Sequence, residues 1–227
     1  DDLKHYCKIN KVPAIGLSDS ANLCGALEFA ENISKVGTQP IIGTQINFFF
    51  KENLGFLPLI ANNIEGYKKI VNLSSKSYLE NNSMRDPHCK IDDLFDNRDG
   101  FTLLTGTING LFGKLLEKGF ETEIHELFIK FRDHFKDNFY IEIQRHNDEN
   151  EKEFENFLLK KSKELEIPLI ASHEVFYLNQ EMYEAHDALL CIGEKTYVTE
   201  KNRLKYSNQH YLKNSEEMKI IFHDLPE

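Results

Sequence analysis

Four short polar stretches end apolar runs and hold the side chains best suited to chemistry. They are Ser18-Asp19-Ser20, Thr44-Gln45, Gln144-Arg145-His146 and Ser172-His173-Glu174. Together with Glu142 they assemble imidazoles and carboxylates, the donors that hold Zn, Mn or Mg and activate water for phosphoester hydrolysis. A plainer reading stands beside it: Asp19 or Asn22 caps a helix, and His146 hydrogen-bonds in a loop. Within these stretches no HxH, HExxH or DxH pair sharpens the metal reading. The stretch Gly106 to Gly113 could cradle a phosphate at a helix start, but it lacks Walker and GxGxxG spacing, so a tight strand-to-helix turn is the expectation. His186 shares a helix face with Met182 and Leu189-Leu190 and is read as a packed histidine. Cys24 and Cys191 sit among apolar helix residues without a histidine partner.

The elements that must position these residues alternate. Strands are expected at 12–18, 39–50, 55–62, 101–106, 138–144 and 167–172, the last a buried one. Helices are expected at 22–37, 63–79, 109–119, 121–136, 148–166, 179–191, 207–213 and 214–224, with a polar loop at 80–90. The clearest period is Ile124, Leu127, Phe128, Phe131 and Phe135, one face of an amphipathic helix. Leu3, Tyr6 and Cys7 already have helical spacing, so the chain is read as beginning inside a helix. Strand–helix alternation with short apolar strands implies an α/β fold with a parallel sheet, open or closed into a barrel. In either form the chemistry gathers at the carboxyl ends of strands.

Bulk composition narrows the function. The 227 residues are 41% hydrophobic and 28% charged, which fits a globular protein, and no run of about 18 apolar residues suggests a membrane span. The formal charge of −10 argues against this chain being the main grip on a nucleic-acid backbone. Four scattered cysteines with no CxxC, and no signal peptide, place the chain in a reducing, cytoplasmic setting.

Several separated stretches resemble one family. "PAIGLSDSANLCGALEF", "TQPIIGTQINF", "PLIANNIEGYKKIVNLSSKSYL", "FTLLTG", "YIEIQRH", "PLIASHEVFYL", "YEAHDALLCI" and "YSNQHYLKNSEEMKIIFHDLPE" follow in order. They resemble the amino-terminal polymerase-and-histidinol-phosphatase (PHP) domain of bacterial DNA polymerase III alpha subunits. The "N..GY" block is the least generic. The resemblance implies a distorted β/α barrel of the PHP type, with barrel strands missing from the amino-terminal side. It also implies a single domain fragment over 1–227, with the barrel at about 1–178 and a helical continuation toward a polymerase core at 179–227.

In active members of that family, His, Asp and Glu from several motifs hold up to three metals and hydrolyse phosphoesters. Position by position, the match is incomplete. The family's His-x-His lies upstream of Asp1. Its Asp-His is Asp19-Ser20 here, its "IIG.E" glutamate is Gln45, and its Asp-x-His is Glu174-Val175-Phe176. His146 is retained. Ser20, Gln45 and Phe176 remove three direct ligands, and even an outer partner of a ligand is worth roughly 10–100-fold in affinity. The resemblance therefore implies a catalytically degenerate domain with no metal bound, Asp19 reduced to a turn and cap residue. The Mg2+ of DNA synthesis would sit in a palm domain outside these residues. DNA and dNTPs would be met through the full-length protein, and the domain would dock a proofreading exonuclease subunit and other replisome subunits, without a membrane. The alternative is an active metal-dependent phosphoesterase or 3′–5′ exonuclease using Asp19, His146, His173 and Glu174.

Overall fold

The computed structural model describes residues 2–80, 86–97 and 99–225. Residues 81–85 of the expected loop, Asp1 and the last two residues lie outside the described residues. The chain divides into two compact units: residues 1–142 with 160–168, and residues 143–159 with 169–227. The fold is α/β, consistent with the distorted β/α barrel that the resemblance implies.

In the first unit, α1 (Asp2–Asn10) buries Cys7 and leads into β1 (Ala14–Ser20). Helix α2 (Ala26–Ser34) follows, then β2 (Gln39–Phe50) and β3 (Asn53–Ala61). Helix α3 (Ile64–Leu79) precedes the two-residue β4 (Cys89–Lys90) and the single turn α4 (Asp92–Phe95). Strand β5 (Phe101–Leu104), α5 (Leu111–Glu117), α6 (Glu121–Phe135) and β6 (Phe139–Ile143) complete the order.

The sheet is mixed, which corrects the expectation of a parallel one. Strands β1–β2, β2–β4 and β5–β6 pair in parallel, but β2–β3 and β3–β5 are antiparallel. The cause is local. Lys51 and Glu52, with φ of 49° and 58°, form a two-residue connection, too short for a parallel crossover. Asn53 stabilises this turn by donating its side-chain N–H to the Lys51 carbonyl at 2.6 Å. Lys-Glu carries none of the Asn-Gly or Asp-Gly chemistry by which such turns are read from sequence.

The periodicity in α6 holds residue by residue: Ile124, Leu127, Phe128, Phe131 and Phe135 are all buried. Their rings interlock with those of neighbouring elements. Phe112 meets Phe128 edge-on at 4.6 Å, and Phe131 meets Phe139 at 5.5 Å. Each such pair adds about 0.5–1.5 kcal/mol to the area it buries, so the aromatic layer is a main source of cohesion in this unit.

The "N..GY" block has a structural cause. Asn63 caps α3, its side-chain oxygen accepting the Gly66 N–H at 2.9 Å. Gly66 packs so closely against Gly100 that a Cβ would lie 1.6 Å from the Gly100 carbonyl oxygen, which also accepts the Asn62 N–H at 2.8 Å.

The second unit contains the amino-terminal part of α7 (Glu151–Leu165), β7 (Leu169–Ala171), α8 (Tyr183–Gly193) and α9 (Ser215–Ile221). Strand β7 is not the buried strand expected, since Ile170 and Ala171 are exposed. Its apolar run reflects strand propensity more than cover. Residues 207–213 are not a helix either. Their backbone bonds go to another segment: Phe176 N–H donates to His210 O at 2.9 Å and Leu212 N–H to Tyr177 O at 3.0 Å, forming a parallel bridge between Tyr177 and Tyr211. Helix α9 begins with a full capping box between Asn214 and Glu217.

Arg145 ties this unit together. Its guanidinium grips Glu155 with two bonds of 3.0 and 2.7 Å, reaches Asp224 at 2.6 and 3.0 Å, donates to Ile221 O at 2.6 Å and lies over the Phe222 ring. Burial pushes the Glu155 carboxyl up, but the bonds and charges of Arg145 and Lys152 outweigh it and hold the group below the ordinary carboxylate range.

Two predictions follow from these packings. Gly66→Ala gains about 1 kcal/mol in helix propensity but forces a backbone clash costing about 1–3 kcal/mol or more, so a net loss of stability is expected in urea unfolding. Glu155→Ala removes one of the two carboxylates that hold Arg145, leaving Asp224, and costs about 1.5–3 kcal/mol at neutral pH. Because the folded Glu155 titrates low, this stabilisation is complete above its unfolded value of about 4.3 and is lost as pH falls through the lower folded value. Wild type and variant unfolding midpoints should therefore converge in acid.

Candidate metal centre

Three segments of the second unit, residues 144–151, 172–177 and 206–213, bring imidazoles and carboxylates together. Asn147 and Asn150 adopt left-handed backbone (φ 62° and 63°), which asparagine tolerates and which lets the first segment turn back on itself. Glu151, the first residue of α7, then closes on it. One of its oxygens accepts the N–H of His146 at 2.7 Å and of Asn147 at 2.8 Å, and the other faces His146 Nδ1 at 3.0 Å.

Geometry assigns the protons. Glu174 N–H donates to His146 Nε2 at 3.1 Å, so that nitrogen is bare and Nδ1 carries the hydrogen donated to Glu151. The carbonyl of the same Glu174 lies 3.1 Å from His210 Nδ1, while His210 Nε2 lies 3.0 Å from Asp148 Oδ2. Both His210 nitrogens face acceptors. Asp148 also accepts the Ser207 N–H at 3.0 Å. Burial pushes the Asp148 carboxyl up, yet His210, the Ser207 amide and His146 together hold it below the ordinary range.

The rings form a continuous stack. His173 packs on His146 at 4.4 Å, His146 on His210 at 4.1 Å and only 2° from parallel, His210 on Phe176 at 4.8 Å, and Phe176 on His186 at 5.1 Å. His173 Nε2 lies 3.0 Å from Tyr211 O. Burial first, then the electrostatic influence of His146 and Lys213, push His173 down to about 3, so it stays neutral at physiological pH. It is not a general acid there.

One ligand atom each from His146, Asp148 and His210 lie within 4.8 Å of one another. Two imidazoles and a carboxylate are a donor set that suits Zn and related dications while leaving a coordination position open. The outer partners fit as well: ligating histidines usually donate their other N–H to a carbonyl or carboxylate, as His210 does to Glu174 O and His146 does to Glu151. Coordination by His146 Nε2 would displace the Glu174 N–H. Leaving that group unpaired costs about 1–3 kcal/mol, against apparent zinc affinities of about 10–16 kcal/mol in small structural sites. The residues present therefore fit a metal. This overturns the expectation that no metal is bound by these residues, which counted lost family ligands and missed a triad.

Of the residues singled out by sequence, the structure brings His146, His173, Glu174 and Phe176 together in the second unit. Glu174 enters the triad's surroundings through its peptide group. Phe176 stacks on His210. In the first unit, Asp19 and Ser20 lie within β1, opposite Thr44 and Gln45 of β2. Asp19 is no helix cap: Gly25 stands at the N-cap of α2 with no side-chain cap bond, and it is Asn22 that accepts the Cys24 N–H at 2.9 Å. Glu142 is buried in the first unit. Sequence reasoning missed Asp148 and His210. Asp148 was absorbed into a helix start and His210 into a helix that does not form, although His146-x-Asp148 is itself a short imidazole–carboxylate spacing.

A PHP domain model matches residues 1–146. The chain is 34% identical over 225 residues to the DNA polymerase III subunit alpha of Caulobacter vibrioides, covering 96% of this chain and 20% of that protein. It is 37% identical over 226 residues to that of Borreliella burgdorferi, covering 94% and 20%. A solved Bifidobacterium adolescentis structure, assigned as a metal-dependent phosphoesterase, aligns over 75% of this chain and 80% of its own at 9% identity with a TM-score of 0.44. The chain spans about a fifth of the length of the curated relatives it matches. No helix among the described residues is long and apolar enough to cross a membrane. The chain belongs to the PHP domain family and is homologous to the amino-terminal PHP domain of bacterial DNA polymerase III alpha subunits.

Proposed function

We propose that this PHP domain binds a divalent metal at His146, Asp148 and His210 and hydrolyses phosphoesters, in the manner of a 3′–5′ exonuclease acting beside a replicative polymerase. The observation that carries the reading is the convergence of those three ligand atoms, each supported from behind by Glu151, Ser207 or the Glu174 peptide. A dication held there supplies Lewis-acid activation of water and of the phosphoryl group. The protein's own part is orientation. Glu151 locks the His146 ring, Glu174 O holds His210 Nδ1–H, and the Ser207 N–H fixes Asp148 so that its second oxygen meets His210 Nε2. In the full-length protein, DNA synthesis from dNTPs would use Mg2+ in a palm domain outside these residues, and a proofreading subunit and other replisome proteins would be its partners.

A second reading is favoured by Ser20, Gln45 and Phe176, which stand where active relatives carry ligands. In it, the triad holds a structural ion and the domain serves as a docking scaffold. The two readings separate in one experiment. Elemental analysis of the full chain is expected to find stoichiometric Zn or Mn. Asp148→Asn or His210→Ala should weaken metal binding by at least about 100-fold and abolish release of nucleotides from a single-stranded 3′ end. Metal without hydrolysis would select the scaffold reading, and no metal in the wild-type chain would overturn the site.

A further inference from the structure

Lys213 is the one buried cation of the second unit, among the described residues, for which no carboxylate contact is found. Arg145 is gripped by Glu155 and Asp224, and Arg203 by Asp187 at 2.6 and 2.7 Å. Lys213 is only 8% exposed. Its ammonium donates to the Gln209 carbonyl, lies 3.3 Å from Nε2 of the neutral His173 and sits 3.7 Å above the Tyr211 ring. All three contacts are with uncharged groups. The carboxylate that acts on it electrostatically, Glu217, is committed elsewhere: one oxygen accepts the Tyr211 hydroxyl at 3.0 Å and the other the Asn214 N–H that opens α9. Burial accordingly pulls the Lys213 ammonium down, with Glu217 opposing at longer range.

A buried charge without an anion is costly, and an arriving anion would offset that cost. Its location says which anion. His173, which Lys213 touches, stacks directly on His146 of the triad, so the ammonium stands one imidazole away from the candidate metal ligands. It is also three residues from His210 on the same segment, and the carbonyl it holds belongs to the residue before His210. We propose that Lys213 is a phosphate-binding residue of this site, its ammonium taking phosphoryl oxygens of the substrate. Lysine does this as a compact point charge with three rotatable donors, and the face of Tyr211 is the contact most easily exchanged for an oxyanion. The inference rests on the metal-site reading for its choice of substrate, a nucleotide phosphate.

The test is titration of the full chain with inorganic phosphate and with thymidine 5′-monophosphate, with and without Mn2+, alongside metal content. Lys213→Met is expected to weaken both ligands by about tenfold or more while metal content stays at the wild-type level, and Lys213→Arg is expected to retain most of the affinity. Should the methionine variant fail to fold, Lys213→Gln removes the charge while keeping donors and carries the same expectation. Unchanged phosphate affinity in a folded, charge-free variant would overturn the proposal. A wild-type chain that takes up no metal defeats the site reading alone, and the role of Lys213 is then decided by the metal-free titrations.

Discussion

A single peptide group, that of Glu174, holds two imidazoles. Its N–H fills the lone pair of His146 Nε2 and its carbonyl takes the Nδ1 hydrogen of His210. The rest of the site is arranged around that fact. With Nε2 occupied, His146 must present Nδ1–H, and Glu151 is there to receive it. With Nδ1 held, His210 can only offer Nε2 outward, and Asp148 meets it. The parallel bridge between Tyr177 and Tyr211 is what keeps the Glu174 peptide and His210 in register, so the geometry of two side chains depends on main-chain pairing between residues 34 positions apart.

That arrangement also says what metal binding would change. His210 Nε2 now faces a carboxylate, and coordination requires that nitrogen to be free of a proton. His146 must surrender a neutral backbone bond. Neither change needs either ring to turn over, because the outer partners already select the nitrogens that would coordinate. Phe176 limits the alternatives. Sitting on the face of His210 and under His186, it supplies no ligand, but it holds His210 from sliding along the stack. A residue that reads in sequence as pure loss of function acts in the structure as part of the packing around a candidate ligand.

The sequence made some of this legible and hid the rest for identifiable reasons. Helix α6 was readable because five apolar residues at helical spacing can satisfy only one backbone form. The α/β class was readable from strand–helix alternation. The β2–β3 hairpin was not, since Lys51 and Glu52 take left-handed conformations without the usual turn residues, and an unseen hairpin turns a mixed sheet into a parallel one on paper. His210 was hidden by a segment whose composition suits a helix but whose backbone donors and acceptors are used by residues 176 and 177. Asp148 was hidden by its closeness to α7. His146 and Glu174 were found, though Glu174 by its carboxylate, whereas its peptide does the positioning. The "N..GY" block identified the family and turned out to be a cap and a close glycine contact, a reminder that the most diagnostic motif of a domain can be purely structural.

The pattern of replaced and retained ligands then acquires a simple logic. Ser20 and Gln45, two of the three positions at which the resemblance implies lost ligands, belong to β1 and β2 of the first unit; Phe176, the third, lies in the second. All three members of the triad, and every group that orients them, come from the second. Counting losses across the whole chain therefore underestimates what remains, because ligands do not act as a sum. A coordination site depends on the few atoms that converge and on the partners that hold them. Here those atoms and partners lie in three segments joined by their own hydrogen bonds, so changes at Ser20 and Gln45 leave the convergence of His146, Asp148 and His210 intact.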